Sequence, residues 1–94
     1  MFEISYGEDN EIALEGRFDA SQVDKAREAF DGINTTRTVN FRDLDYISSA
    51  GLSVLLVTQK RLSENGNQLI LKNLNKHIRE VFRYAGFDMI FQIL

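Results

Sequence analysis

Apolar and polar residues alternate at the start of the chain, over residues 2–6 and again over residues 12–14. A period of two is typical of strands that bury one face. The intervening residues 7–10 have the sequence Gly-Glu-Asp-Asn, which favours a turn. The pattern therefore predicts an N-terminal β-hairpin.

The spacing of apolar residues then changes to that of a helix over residues 23–30. Asp19 or Ser21 is available to cap this helix, and Gly32 closes it. Residues 37–41 return to alternation, so we expect a short strand there.

The segment 49–64 is ambiguous when its local pattern is considered alone. Residues 54–58, Val-Leu-Leu-Val-Thr, are compatible with a buried strand, but about 16 residues pass without a breaker before Asn65 and Gly66. That length predicts a mostly buried helix. Its apolar face is expected to contain Leu52, Leu55, Leu56 and Leu62.

The rest of the chain predicts one more strand and one more helix. Residues 68–72 favour a strand, Asn75 can cap a helix that ends at Gly86, and residues 89–94 form a final short strand or apolar tail. The order β-β-α-β-α-β-α-(β) predicts a single-domain α/β fold over residues 1–94. We expect a mixed β-sheet with the N-terminal hairpin, parallel βαβ units and about three to four helices.

Functional residues in such sheets usually lie in loops that leave the carboxyl ends of parallel strands. Residues 43–49 are predicted to form one of these loops, and Asp19 begins the other early helix. Ser48 can be the N-cap of the central helix, which puts Ser49 in the first turn, where unpaired N–H groups favour a phosphate. Gly51 has no side chain and would let another surface approach the hydroxyls. An ordinary serine-capped helix explains these residues equally well.

Composition restricts the class of protein. The 94 residues include 11 Lys and Arg and 14 Asp and Glu, and the formal net charge of −3 argues against nucleic-acid binding. With no cysteine there is no disulfide or thiolate metal site. The N-terminus lacks the regions of a signal peptide, so we expect a soluble, cytoplasmic protein without direct membrane insertion. Scattered basic residues are interpreted as solvated helix faces: Lys60, Arg61, Arg79 and Arg83.

A serine at a strand-to-helix turn also suggests a hydrolase. The nucleophile elbow of such enzymes has glycine two residues before and two after the serine, whereas Ser49 has Ile47 and Gly51 at those places. Asp43 and Asp45 alone are more typical of a solvated loop than of a metal site. No catalytic residue, metal site or cofactor is therefore predicted, and the chain is not expected to be an enzyme.

Residues 45–55, Asp-Tyr-Ile-Ser-Ser-Ala-Gly-Leu-Ser-Val-Leu, resemble the motif of STAS domains, in particular of bacterial anti-sigma factor antagonists. The resemblance extends over nearly the whole chain. Residues 14–19 resemble the Gly-x-x-Asp segment that ends the second strand of the family, and residues 66–71 and 81–87 resemble its later strand and last helix.

The resemblance implies a phosphorylation-controlled binding module, a monomer or weak dimer. In this family the unphosphorylated domain binds an anti-sigma factor, a serine kinase of the GHKL type, and so releases the sigma factor. The kinase phosphorylates the loop serine and expels the antagonist, and a PP2C-type phosphatase restores it. Aligned on Gly51 and Leu52, the acceptor is Ser49, and Asp19 falls where the family has an acidic residue beside the kinase-binding surface.

The chain departs from the family motif at two positions. Ser48 replaces an acidic residue and Ala50 replaces a second hydroxyl, so Ser48 stays an alternative acceptor. STAS domains also serve as the small subunit on the ATPase of a lipid-transport ABC complex, which makes a constitutive adaptor the alternative function. In both cases Asp19, Ser48, Ser49 and Gly51 are expected to form one partner surface. Gly51→Glu is expected to weaken binding and leave the fold intact.

Overall fold

A five-stranded sheet with three helices organises the chain, and the computed structural model describes all 94 residues. The strands are β1 (Phe2–Tyr6), β2 (Ile12–Phe18), β3 (Arg37–Ile47), β4 (Leu69–Lys72) and β5 (Gln92–Ile93). The helices are α1 (Val23–Asp31), α2 (Ser49–Ser63) and α3 (Lys76–Tyr84). Short 3₁₀ turns cover Glu8–Asn10, Ala20–Gln22 and Phe87–Met89. The predicted order of elements is confirmed.

The strands lie in the sheet in the order in which they occur along the chain. β1 pairs with β2 antiparallel, and every later pair is parallel, which confirms the mixed α/β fold. Each parallel connection advances by one strand in the same direction. Because such connections are right-handed, all three helices lie on the same face of the sheet.

The core lies between this face of the sheet and the helices. Inward-facing residues alternate along β2, where Ile12, Leu14 and Phe18 are buried while Glu15 and Arg17 are exposed. The helices close the core with their largest apolar side chains. Buried members from the helices include Phe30, Leu52, Leu55, Leu62, Ile78 and Phe82.

Strand β3 is longer than the sequence predicted. Residues 43–47 continue the strand, so the expectation of a loop over residues 43–49 is wrong except at Ser48. The pairing of β2 with β3 contains register shifts typical of bulges, and the buried residues Leu44 and Ile47 are three apart. The bulges interrupt the period of two, which is why the local pattern concealed the strand.

Helix α2 buries a wider face than its leucines indicated. Leu52, Leu55 and Leu62 are buried as predicted and Leu56 is half-buried, but Val54, Thr58 and Gln59 are also buried. Gln59 is paired on both ends of its amide: Oε1 accepts from Leu69 N at 2.8 Å, and Nε2 donates to Ile90 O at 3.3 Å. The second half of α2 is thereby joined to β4 and to the segment before β5.

The interpretation of Arg61 as part of a solvated helix face is wrong. Its Nη1 donates to Ile33 O at 2.7 Å and its Nη2 donates to Phe30 O at 3.0 Å. These carbonyls lie at and just beyond the end of α1, where helices leave acceptors unpaired. Arg61 therefore ties α2 to α1.

None of the helices is both long and apolar enough to cross a membrane.

Leu55 tests the packing of α2. It is 0% exposed, so Leu55→Ala should lower the free energy of unfolding by about 2–5 kcal/mol. Val57→Ala is the matched control, because Val57 is 62% exposed on the same helix and should change stability by no more than about 0.5 kcal/mol. Urea denaturation measures both. A loss below about 1 kcal/mol for Leu55→Ala would contradict this packing.

Candidate functional site

Strands β2 and β3 end side by side. Phe18 pairs with Ile47 in register, and the backbone N–H of Ser48 donates to Phe18 O at 2.9 Å. Asp19 and Ser48, which follow these two residues, therefore lie next to each other at the carboxyl end of the sheet. The two chain segments that carry the predicted site residues do meet at one end.

Ser48 is the N-cap of α2, as the sequence predicted. Its backbone is extended, its Oγ accepts from Gly51 N at 3.1 Å, and its carbonyl accepts from Leu52 N at 2.9 Å. The side chain is half-buried. This hydroxyl therefore satisfies one of the free N–H groups with which the helix begins.

Ser49 is the first residue of α2 and is exposed. It lies in the turn where the remaining free N–H groups and the positive end of the helix dipole favour negative charge. The two adjacent hydroxyls therefore differ in exposure and in hydrogen bonding. Ser48 is engaged in capping, whereas Ser49 is directed to solvent.

Asp19 caps the 3₁₀ turn Ala20–Gln22 that leads into α1. The helix α1 itself begins after Gln22 with no side-chain cap, so the prediction that Asp19 or Ser21 caps this helix is wrong. The Asp19 Oδ1 accepts from Ser21 Oγ at 2.6 Å and from Ser21 N at 3.0 Å. These bonds, first that from the Ser21 hydroxyl, lower the pKa of Asp19, and the nearby Arg17 acts in the same direction. The carboxylate is therefore ionised at neutral pH and fixed beside the start of α2.

Gly51 is buried, and this corrects the expectation that it opens the surface to a partner. A Cβ at this position would lie 3.0 Å from Ile47 Cγ1 and 3.1 Å from Phe18 Cγ. The missing side chain lets the first turn of α2 lie directly on the ends of β2 and β3. Gly51→Glu would place a charge in this contact. We therefore no longer expect the fold to stay intact in this variant.

Arg17 is a residue of the site that the sequence analysis missed. It pairs with Tyr46 in register, and its guanidinium carbon lies 4.3 Å from the centroid of the Tyr46 ring, a cation–π contact on the helix-free face. The only available signal was its place within residues 16–19. Its partner depends on the bulged pairing of β2 with β3, which local sequence does not reveal.

The remaining carboxylate and imidazole side chains do not form a metal site. Asp43 and Asp45 are exposed on β3, and the only histidine, His77, is exposed on α3. No three carboxylate or imidazole side chains are grouped closely enough to hold a metal ion. The site therefore consists of two hydroxyls, one fixed carboxylate and a neighbouring guanidinium.

STAS domains have a five-stranded mixed sheet and a serine that caps the central helix, and this chain has the same arrangement. The family profile described as "Mlab, STAS domain" matches residues 4–94. The chain belongs to the STAS-domain family.

Two relatives by sequence are informative. BtrV of Bordetella bronchiseptica, which is named as an anti-sigma factor antagonist, is 40% identical over 74 residues. That match covers 79% of this chain but only 58% of BtrV, so the chain spans little more than half of that relative. A STAS-domain containing protein of Pseudomonas aeruginosa is 26% identical over 90 residues, covering 93% of this chain and 89% of the relative.

Solved structures share the fold. The anti-sigma factor antagonist SpoIIAA in its unphosphorylated form has a TM-score of 0.72 at 21% identity, covering 100% of this chain and 87% of that one. A Thermotoga maritima protein described as an anti-sigma factor antagonist has a TM-score of 0.79 at 22% identity, with coverages of 99% and 85%. The fold of this STAS domain is SpoIIAA-like.

Gly51→Ala tests the contact beneath the site. In a solvated helix this change is stabilising by roughly 0.5–1 kcal/mol, but here the methyl group would press on buried Phe18 and Ile47. Phe18 is also stacked on Phe2 with centroids 4.6 Å apart, so it cannot easily yield. We expect destabilisation of about 1–3 kcal/mol by urea denaturation. Ser53→Ala, at an exposed position of α2, is the control, and a gain in stability for Gly51→Ala would contradict the packing.

The Asp19 carboxyl gives a second, independent prediction. Because its pKa is lowered in the folded protein, its contribution to stability is present above the pKa of the unfolded chain and is lost as the pH falls through the folded pKa. Ser21→Ala should raise the pKa of Asp19 toward its ordinary value of about 3.9. Carbon-13 NMR titration of the carboxyl measures this, with Ser53→Ala as the control. An unchanged Asp19 titration in Ser21→Ala would refute the assigned cause.

Proposed function

We propose that this chain is an anti-sigma factor antagonist that works as a phosphorylation-switched binding module in the cytoplasm. In its unphosphorylated form it sequesters an anti-sigma factor serine kinase of the GHKL type, which releases the sigma factor. The observation that carries the proposal is the exposed Ser49 hydroxyl at the start of α2, beside the ionised Asp19. The similarity to BtrV and to SpoIIAA supports it.

Ser49 is the proposed acceptor, with Ser48 as the alternative. A kinase must reach the hydroxyl, and Ser49 is exposed while Ser48 is half-buried and bonded to Gly51 N. A phosphate on Ser48 would also disturb the cap that begins the helix. A phosphate on Ser49 would instead meet the favourable end of the helix dipole.

The proposed switch acts through charge and leaves the fold in place. A phosphate adds a charge of about −1.5 to −2 next to the Asp19 carboxylate, which opposes docking of a surface fitted to a neutral hydroxyl. SpoIIAA gives support by analogy, since its unphosphorylated and phosphorylated forms match this chain with TM-scores of 0.72 and 0.70. A PP2C-type phosphatase would restore the binding form. ATP is the substrate of the kinase in this scheme.

Ser49 variants test the switch against a GHKL-type anti-sigma factor kinase of the same organism. Ser49→Ala should bind the kinase and stay bound when ATP is added, because no acceptor remains. Ser49→Asp should bind poorly, although one carboxylate carries less charge than a phosphate. Ser48→Ala is the matched control: it should lose about 1 kcal/mol of stability with the cap and still be phosphorylated. Titration calorimetry and mass spectrometry give the two measurements.

The results distinguish Ser49 from Ser48 as the acceptor and test whether the switch exists. Phosphate found on Ser48 would move the acceptor by one residue. If no phosphate is incorporated and Ser49→Asp binds as tightly as the unmodified chain, the switch is refuted.

A constitutive adaptor bound to an ABC transporter ATPase is the second candidate. The replacements at Ser48 and Ala50 favour it, because they remove the acidic residue and the second hydroxyl of the antagonist motif. On this reading the same surface, Asp19, Ser48 and Ser49, contacts the ATPase without modification. Affinity capture with the wild-type chain, with Ser49→Asp as the comparison, distinguishes a kinase from an ABC ATPase.

A further inference from the structure

Two side chains of opposite charge, Arg17 and Asp19, lie two positions apart where β2 ends. The backbone of Asp19 is extended, with φ −98° and ψ −179°, and the intervening Phe18 is buried in the core. Because successive side chains of an extended segment point to opposite sides, Arg17 and Asp19 leave the chain on the same side, about 7 Å apart along the strand. The carboxyl end of β2 therefore presents a cation next to an anion.

The guanidinium of Arg17 is held in place but is not neutralised. Its central carbon lies 4.3 Å from the centroid of the Tyr46 ring, and Tyr46 is half-buried on the neighbouring strand. No carboxylate lies within ion-pair distance of Arg17, whose side chain is exposed. Stacking covers one face of the guanidinium, so the N–H groups at its edge stay free for a planar acceptor such as a carboxylate.

Other arginines of the domain are used within it. Arg61 and Arg79 donate to backbone carbonyl oxygens, and Arg83 pairs with Glu80. Arg17 instead lies exposed one rung below Asp19, at the end of the sheet that carries the proposed acceptor Ser49. Its charge is thus available to a molecule that docks at this end.

The two neighbouring charges restrict the partner more closely than the net charge does. A chain with a net charge of −3 attracts basic surfaces in general, but a basic side chain that faced Arg17 would be repelled. A surface that fits both charges has to carry an acidic and a basic residue side by side. Opposed charges of this kind select between partners that otherwise have similar shapes.

We propose that Arg17 is a specificity-determining residue, and that the partner places a carboxylate against its guanidinium and a basic side chain against Asp19. Tyr46 is a positioning residue, because its ring fixes the guanidinium in the orientation that meets the carboxylate. This inference rests on the proposed function, since it takes the end of the sheet with Ser49 as the docking surface.

Arg17→Glu tests the inference against the GHKL-type kinase. It should weaken binding at least about tenfold, because a carboxylate of the partner then meets another carboxylate. Arg42→Glu is the matched control: it makes the same change at an exposed arginine of β3, roughly 15 Å along the strand from Ile47, and should bind within about twofold of wild type. Titration calorimetry gives the Kd, and urea denaturation checks that each variant is folded.

Charge reversal on the partner identifies the contact. Acidic residues on the surface of the kinase are changed to lysine one at a time. One of these kinase variants should bind Arg17→Glu at least about tenfold more tightly than the unmodified kinase does, because the charges are then opposite again. The same kinase variant should not improve the binding of Arg42→Glu.

Tyr46→Leu tests the positioning role. Removing the ring should weaken binding about threefold in the wild-type chain and have no effect when Arg17 is already alanine, because the two changes then act on one contact. An equal effect of Tyr46→Leu in both backgrounds would mean that the ring itself contacts the partner, and would refute the positioning role.

Two results would overturn the inference about Arg17 and leave the proposed function standing. The first is Arg17→Glu binding within about twofold of wild type while Ser49→Asp binds poorly. The second is an equal loss in Arg42→Glu, which would show that only the net charge matters.

Other results bear on the proposed function itself. If the wild-type chain captures an ABC ATPase and no kinase, the proposed switch fails, and the Arg17 and Arg42 variants measured against that ATPase decide the inference by the same criteria. A wild-type chain that binds neither protein refutes both proposals.

Discussion

The contact between the first turn of α2 and the ends of β2 and β3 determines the rest of the site. Gly51 lies so close to Phe18 and Ile47 that a methyl group there would fit only if these side chains shifted. This close approach brings the serine that caps the helix into a backbone hydrogen bond with Phe18 O, directly beside Asp19. A larger residue at position 51 would press on Ile47 and Phe18, which lie directly beneath the site.

The opposite half of α2 is fixed by polar bonds as well as by apolar packing. Gln59 joins it to β4, and Arg61 joins it to the end of α1. Ser49 therefore stands exposed at the end of a helix that is held along its whole length. A charge added to that hydroxyl changes the potential of the surface far more than it changes the shape of the domain. This combination suits a binding module whose partner responds to the charge.

The chemistry of the site agrees with binding more than with catalysis. The hydrogen bonds from Ser21 lower the pKa of Asp19 and so make its carboxylate a weak base, and the Ser48 hydroxyl is used as a helix cap. Arg17 is occupied on the Tyr46 ring.

Local interactions were determined by the sequence itself. The three helices and the caps Ser48 and Asn75 follow from residues within four positions of each other. The hairpin follows from two alternating segments joined by a short turn. Only the tertiary structure decided the length of β3, the burial of Gly51 and the partner of Arg61. Each depends on segments far apart in the chain, and the bulges between β2 and β3 shift the register that a period of two would predict. The spacing of apolar side chains along the chain predicts where helices and strands form. The register between strands and the burial of individual residues depend on packing between distant segments.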